Sequence, residues 1–266
     1  MKAICKDLAD EYAALDDMVK DLDAGGWRTK TPFFNWTIKD EISHLAYFDK
    51  TAFLSATDAR AFNAELEKIL EGITSYDDVY RKVNAMGGGM SDADLLAWWR
   101  KERTQLVAAF EALEPDARVP WYGPTMSARS SATARIMETW AHGQDVADAL
   151  KIVRPGTDRL KHIAFLGFST FKWSFKNREL AVPEKPVRVA LTSPSGELWA
   201  WGPEDAENVV SGPALDFCLE VTQRRNPEDT GLHIRGEVAD QWIQIAQAFA
   251  GPPQEAPAPG VRKNIA

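Results

Sequence analysis

Histidine and cysteine are both scarce in this 266-residue chain, four of the first and two of the second. The cysteines, Cys5 and Cys218, lie far apart in helix-like contexts. This spacing speaks against a disulfide-stapled scaffold and leaves two buried free thiols as the reading. Long apolar runs are also missing: no stretch of about 18 apolar residues occurs. The opening Met1-Lys2-Ala3-Ile4-Cys5-Lys6-Asp7 is charged and amphipathic, unlike a secretory leader. The expectation is a cytoplasmic protein with no membrane partner. Nor is there an excess of basic charge, with 31 Lys and Arg against 39 Asp and Glu. Nucleic-acid binding rests on clustered cations, so no such partner is expected. A phosphate-cradling loop is absent as well, because Gly87-Gly88-Gly89 follows a helical pattern and lacks a following Lys-Ser/Thr. Trp98-Trp99 and Trp199-Ala200-Trp201 have no basic residues interleaved and read as core packing.

Against this background one pair stands out. Glu138 and His142 are four residues apart in a helical pattern, so both side chains reach one point on one face. Their face carries Ala134, Ala141, Asp145 and Ala149, where a solvated face would carry Lys and Glu. Ile136, Trp140 and Ala147 occupy the other side, which predicts a helix buried on more than one side. A buried carboxylate and imidazole require a partner. A hydrogen-bonded or solvated pair is the commoner meaning of Glu-x-x-x-His, but a divalent metal satisfies both groups at once. His44 lies in a second helical pattern that begins at a Thr37 N-cap, beside the stripe Ile38, Ile42, Leu45 and Ala52. With Glu138 and His142 it completes a two-histidine, one-carboxylate set. Such a set suits zinc first, with iron, nickel or manganese also compatible.

The segments Trp36-Thr37-Ile38-Lys39-Asp40-Glu41-Ile42-Ser43-His44-Leu45 and Met137-Glu138-Thr139-Trp140-Ala141-His142-Gly143-Gln144-Asp145-Val146-Ala147 resemble the DinB-like, mycothiol-dependent maleylpyruvate isomerase family. They are closer still to a branch of it described only as metal-binding proteins. The resemblance implies an N-terminal four-helix bundle holding one divalent metal through His44, Glu138 and His142. It also implies a C-terminal domain that helps bind the thiol cofactor and substrate. Arg224 falls where the family carries a functionally important arginine in a Leu-Thr-Gly-Arg-like segment. Here Gln223 replaces the glycine and Arg225 follows, so either arginine could serve. A helix C-terminal role favouring the dipole fits Arg224 equally well.

The remaining pattern is consistent with an α+β protein: a DinB-like bundle over 1–180, a small α/β domain over 187–250 and a flexible Pro/Ala-rich tail over 251–266. Helical periodicity covers 3–23, ending at Gly25-Gly26. It returns around His44, from 75 to the glycine run at 87, after a Ser91 cap to 113, around Glu138, and over 157–177. Beyond the prolines at 183 and 186, residues 187–193 alternate like a half-buried strand, and Pro194-Ser195-Gly196 turns into a partner strand at 197–201. A helix from 213 to 224, a strand at 232–235 and a helix over 237–250 follow. His162 and His233 read as structural or surface residues.

Three protein ligands leave positions open on a metal, the pattern of a catalytic site. The function expected is thiol-dependent isomerisation or S-transfer on a small, acidic substrate, with mycothiol or another low-molecular-weight thiol as cofactor. The alternatives are a metal hydrolase and a non-catalytic metal or small-molecule binding protein. Asp145, one turn past His142, is expected either to orient a ligand or accept a proton, or to form a structural ion pair. The chain is expected to act as a monomer or homodimer.

Overall fold

Helices with one apolar stripe must bury that stripe against one another, and the N-terminal half does so as a bundle. The computed structural model describes residues 1–262 and comprises two units, Met1–Lys151 and Ile152–Ala266. In the first unit α1 (Lys2–Val19), α3 (Ile38–Thr57), α6 (Asp92–Glu111) and α7 (Ala128–Leu150) form the bundle. Both α1 and α3 pack against α6 and α7. Leu8, Leu15, Ile42, Leu45, Trp99, Leu106, Phe110 and Ile136 fill its centre. The turn α2 (Ala24–Trp27) and the helices α4 (Ala59–Leu70) and α5 (Tyr76–Gly88) complete the helices of this unit, with α4 and α5 lying against α3. A two-residue ladder, β1 (Arg118–Val119) with β2 (Met126–Ser127), leads into α7.

Local chemistry explains most of these boundaries. Thr37 caps α3 through a capping box, its hydroxyl accepting from Asp40 N while the Asp40 carboxylate accepts from Thr37 N. Ser127 accepts from Ser130 N at the start of α7, which ends at Lys151 in the left-handed conformation. Two glycine clusters do more than terminate helices. Gly25-Gly26 lies inside α2, capped by Asp23. Gly87 lies inside α5, where its N–H donates to Ser43 Oγ and a Cβ would come within 2.4 Å of that oxygen. Glycine therefore lets α5 sit close against α3, directly beside His44.

The second unit begins with α8 (Leu160–Ser169) and α9 (Phe171–Lys176). The single helix expected over 157–177 divides at Thr170, whose hydroxyl bonds back to the Leu166 and Gly167 carbonyls. Expectation placed this helix in the bundle. Instead α8 packs on α10 (Ala214–Val221), where a Cβ on Gly167 would meet Val221 at 2.8 Å. A four-stranded sheet in the order β4-β3-β5-β6 follows, from β3 (Val187–Thr192), β4 (Leu198–Trp201), β5 (Asn208–Pro213) and β6 (His233–Arg235). The β3–β4 hairpin is antiparallel, with Ala190 opposite Ala200, as its turn signal predicts. The third strand, β5, pairs parallel to β3 with Val189 opposite Val210, and β6 returns antiparallel. The last helix, α11 (Glu237–Ile243), is shorter than the 237–250 expected.

The tail from 251 to 262 forms no helix or strand, yet donors elsewhere in this unit hold its backbone. Asn177 Nδ2 donates to Gly251 O, Gln223 Nε2 to Gln254 O, and Asn226 Nδ2 to Pro257 O. Proline-rich backbone has few N–H groups of its own, and side-chain amides supply what it lacks. Residues 263–266 of the expected tail lie outside the described residues. Both cysteines are buried free thiols. No helix among the described residues is long and apolar enough to cross a membrane.

Candidate metal centre

Helix α7 is buried on every side from Arg135 to Val146 except at Glu138, whose side chain is 25% exposed. Its partner from α3, His44, points Nε2 at Glu138 Oε2 from 3.3 Å. The Nε2 of His142 lies 3.4 Å from the same oxygen. One ligand atom from each of the three residues falls within 4.8 Å of the others. Two ligands about 2.1 Å from a tetrahedral ion stand about 3.4 Å apart, and the separation of Glu138 from each imidazole matches that spacing.

Aromatic rings wall the imidazoles. Phe48 and Trp36 lie 4.6 and 5.5 Å from His44 between ring centres, and Phe33 lies 5.1 Å from His142. Tyr80 from α5 approaches His44 at 6.0 Å. Phe33 and Trp36 flank Phe34 and Asn35, two consecutive non-glycine residues in the left-handed conformation. Such backbone costs about 1–2 kcal/mol per residue, so surrounding contacts must hold it. The bond from Thr31 N to Trp36 O, at 2.7 Å, is one of them.

The electrostatics differ between the two histidines. Burial, together with the charge of His142, lowers the His44 pKa to about 4. Burial also disfavours charge on His142, but the bonds it makes to Glu138 and Glu41 outweigh this and raise its pKa to about 9. Burial alone would raise Glu138, yet the two imidazoles hold it well below the usual carboxylate range. Burial pushes Glu41 up, opposed by its bond to His142.

Asp145 is fully buried and its Oδ2 stands 3.8 Å from His142 Nδ1. Arg224 belongs to the other unit, in the turn after α10. It is buried there, and its Nη1 donates to Thr222 O at 2.6 Å. Arg225 beside it is also buried, with Nη1 donating to Arg224 O. Gln223, standing where the family resemblance expects glycine, has φ of 59°. The position thus requires the conformation glycine adopts without cost, and Gln223 is held in it by amide bonds to Ala246 O and Gln254 O.

The family described as mycothiol maleylpyruvate isomerase N-terminal domain matches residues 8–147, which include all three candidate ligands. The chain belongs to this family. A shorter match, over residues 183–232, is to a family described as wyosine base formation, and covers β3 to the loop before β6. Two uncharacterized proteins of Mycobacterium tuberculosis, from strains CDC 1551 / Oshkosh and ATCC 25618 / H37Rv, are each 43% identical over 248 residues, 93% of this chain and 95% of the relative. Among solved structures, a crystal structure of the mycothiol-dependent maleylpyruvate isomerase aligns with a TM-score of 0.60 at 16% identity, covering 88% of this chain and 92% of that one. A histidine-to-alanine mutant of that isomerase aligns with a TM-score of 0.58, over 84% and 89%. At that identity the likeness establishes the fold: a helical N-terminal region with a small C-terminal sheet.

Sequence reasoning missed Glu41, which stands beside the candidate ligands of this maleylpyruvate isomerase-family chain. Fully buried on α3, it meets His142 Nδ1 at 2.6 Å through Oε2 and accepts from Thr31 Oγ1 at 2.5 Å through Oε1. The available signal was a glutamate three residues after Ile38 and four before Leu45, on the apolar face itself, where a solvated glutamate would not lie.

Proposed function

We propose that this chain is a metal-dependent enzyme that uses a low-molecular-weight thiol, such as mycothiol, to isomerise a small acidic substrate or transfer the thiol to it. The observation that carries the reading is the convergence of His44, Glu138 and His142, in a chain whose family is described by the mycothiol maleylpyruvate isomerase. The donor set is two imidazoles and a carboxylate, which suits zinc and leaves a ligand position open. A divalent ion held there would supply a Lewis acid that favours the thiolate form of a bound thiol at neutral pH.

The protein's own residues supply the rest. Glu138 is the exposed member of the set, so a small molecule approaches from its side. Phe33, Trp36, Phe48 and Tyr80 keep water from the faces of the imidazoles and offer apolar surface to a substrate carbon chain. Asp145 is proposed as a proton acceptor; Arg224, expected from the sequence as the cation for a substrate carboxylate, is buried in the second unit, where it donates to Thr222 O.

Metal analysis tests the foundation. The wild type should carry one divalent ion per chain and His142→Ala none, and unchanged stoichiometry in the variant would refute the site. For the thiol, mycothiol at a hundred times its Kd should stabilise the metal-loaded protein by about 2.7 kcal/mol and leave the metal-free protein unchanged. Thiol-independent hydrolysis of an ester or amide would replace this reading with that of a metal hydrolase.

A further inference from the structure

The two imidazoles of the site are held in different ways. His44 Nδ1 is buried and has no hydrogen-bond partner among the described residues, so its orientation rests on the Nε2 contact with Glu138 and on ring contacts with Phe48 and Trp36. His142 is instead gripped through Nδ1 by Glu41 Oε2, at 2.6 Å. The other oxygen of Glu41 is pinned by the Thr31 hydroxyl, and neither Glu41 nor Thr31 has appreciable exposure. The carboxylate is therefore fixed at both ends and cannot swing away from the ring.

We propose that Glu41 is the positioning residue for His142: it holds the Nδ1–H tautomer, leaving Nε2 to bind metal, and its charge strengthens that nitrogen as a donor. The inference rests on the metal-site reading above. Asp145, for which the sequence left open an orienting, a proton-accepting or a structural role, is one turn along the same helix at 3.8 Å from Nδ1, whereas Glu41 reaches across from α3 to hydrogen-bonding distance. Glu41 also shares α3 with His44, three residues away. One helix thus supplies a ligand and the group that aims another, and a bond from α3 to α7 fixes both. Thr31 extends the link, because its backbone N–H holds Trp36 O in the turn that presses Phe33 and Trp36 against His142.

The test is a competition titration with zinc alone on the full chain. Partners of metal-bound histidines are worth about 10–100-fold in affinity, so Glu41→Gln, which keeps shape and removes charge, should bind zinc about tenfold or more weakly. Thr31→Val should weaken it less and in the same direction, and provides the reading if Glu41→Gln does not fold. Asp145→Asn should have the smaller effect of the two carboxylate changes. Long-range proton–nitrogen spectra of the zinc-loaded wild type should show a protonated Nδ1 on His142, with that proton shifted in Glu41→Gln, a change that a packing role alone would not produce. Zinc affinity within twofold of wild type in Glu41→Gln, or a larger loss in Asp145→Asn, would overturn the inference while leaving the metal site standing. Two equivalents of zinc per chain would also overturn it, by making Glu41 a ligand. A wild type that binds no zinc would overturn both this inference and the reading beneath it.

Discussion

Buried between α3 and α7 lies an ion pair whose removal should test how the site is held together. Asp49 Oδ1 accepts from Arg135 Nε at 2.9 Å and from Tyr12 Oη at 2.6 Å, while Oδ2 accepts from Trp99 Nε1 at 3.2 Å. Asp49 is fully buried and Arg135 is 2% exposed. Burial disfavours the guanidinium, but Asp49 outweighs it and holds the Arg135 pKa above its usual value, so Arg135 is charged at every accessible pH. Asp49 lies five residues after His44 and Arg135 three before Glu138, so the pair clamps the two helices that carry the candidate ligands. Replacing Asp49 by Asn leaves a buried cation without its counter-charge, which costs about 3–5 kcal/mol. Because the new amide still accepts one bond, the lower figure applies. At about 2–4 °C per kcal/mol for a protein of this size, Asp49→Asn should melt about 6–12 °C below wild type. Asp49→Ala also strands the Tyr12 hydroxyl and Trp99 N–H, at about 1–3 kcal/mol each, and should approach the whole stability of a typical domain. The double variant Asp49→Leu/Arg135→Met should recover most of the loss, because apolar pairs replace buried ion pairs at little net cost. Urea denaturation read at constant m-value measures all three. A loss below about 1 kcal/mol in Asp49→Asn, or a double variant no better than the single one, would refute the clamp.

Three further outcomes follow from the same geometry. His142, with a carboxylate on each nitrogen and a pKa raised to about 9, must lose a proton to bind metal. Zinc affinity should therefore rise with pH up to about 9, with proton release measurable by calorimetry in buffers of different ionisation enthalpy, and a pH-independent affinity above 7 would contradict it. Glu220 is buried, its Oε2 has no partner among the described residues, and burial pushes its pKa well above the usual carboxylate range. Its unfolded value is about 4.3, so it costs nothing below that pH and destabilises progressively above it. Glu220→Gln should thus be the more stable protein at pH 7, with the gap closing toward pH 4 in urea titrations. Gly87→Ala drives a methyl into Ser43 and should cost about 1–3 kcal/mol in thermal melts, with weaker metal binding because Ser43 adjoins His44.

What the sequence made legible was periodic or punctuated. The bundle helices followed from their apolar stripes and caps, the Thr37 cap among them, and the β3–β4 hairpin from Pro194-Ser195-Gly196. Glu138 and His142 could be paired because four residues on one helix fix their geometry. Helix α4 escaped because its stripe rests on only two buried residues, Phe62 and Ile69, within a largely exposed surface. Strand β5 escaped for another reason: parallel pairing with β3 is a crossover decision made by the whole unit, and no local signal announces it.

The groups that hold the site steady belong to the illegible class. Glu41 bonds to His142 across 101 positions, and Asp49 to Arg135 across 86. Neither partner is visible until α3 and α7 are set in register. Sequence reasoning turned to Asp145 because a same-helix neighbour is the only orienting carboxylate that a local pattern can nominate. Yet a neighbour at i+3 can orient a ligand only relative to its own helix. A carboxylate on the facing helix orients the ligand relative to the other ligands, since its bond and the helix packing must be satisfied together. The proposed metal centre, assembled from two helices, needs that second kind of constraint, and α3 carries two groups placed to supply it, Glu41 and Asp49, on either side of His44.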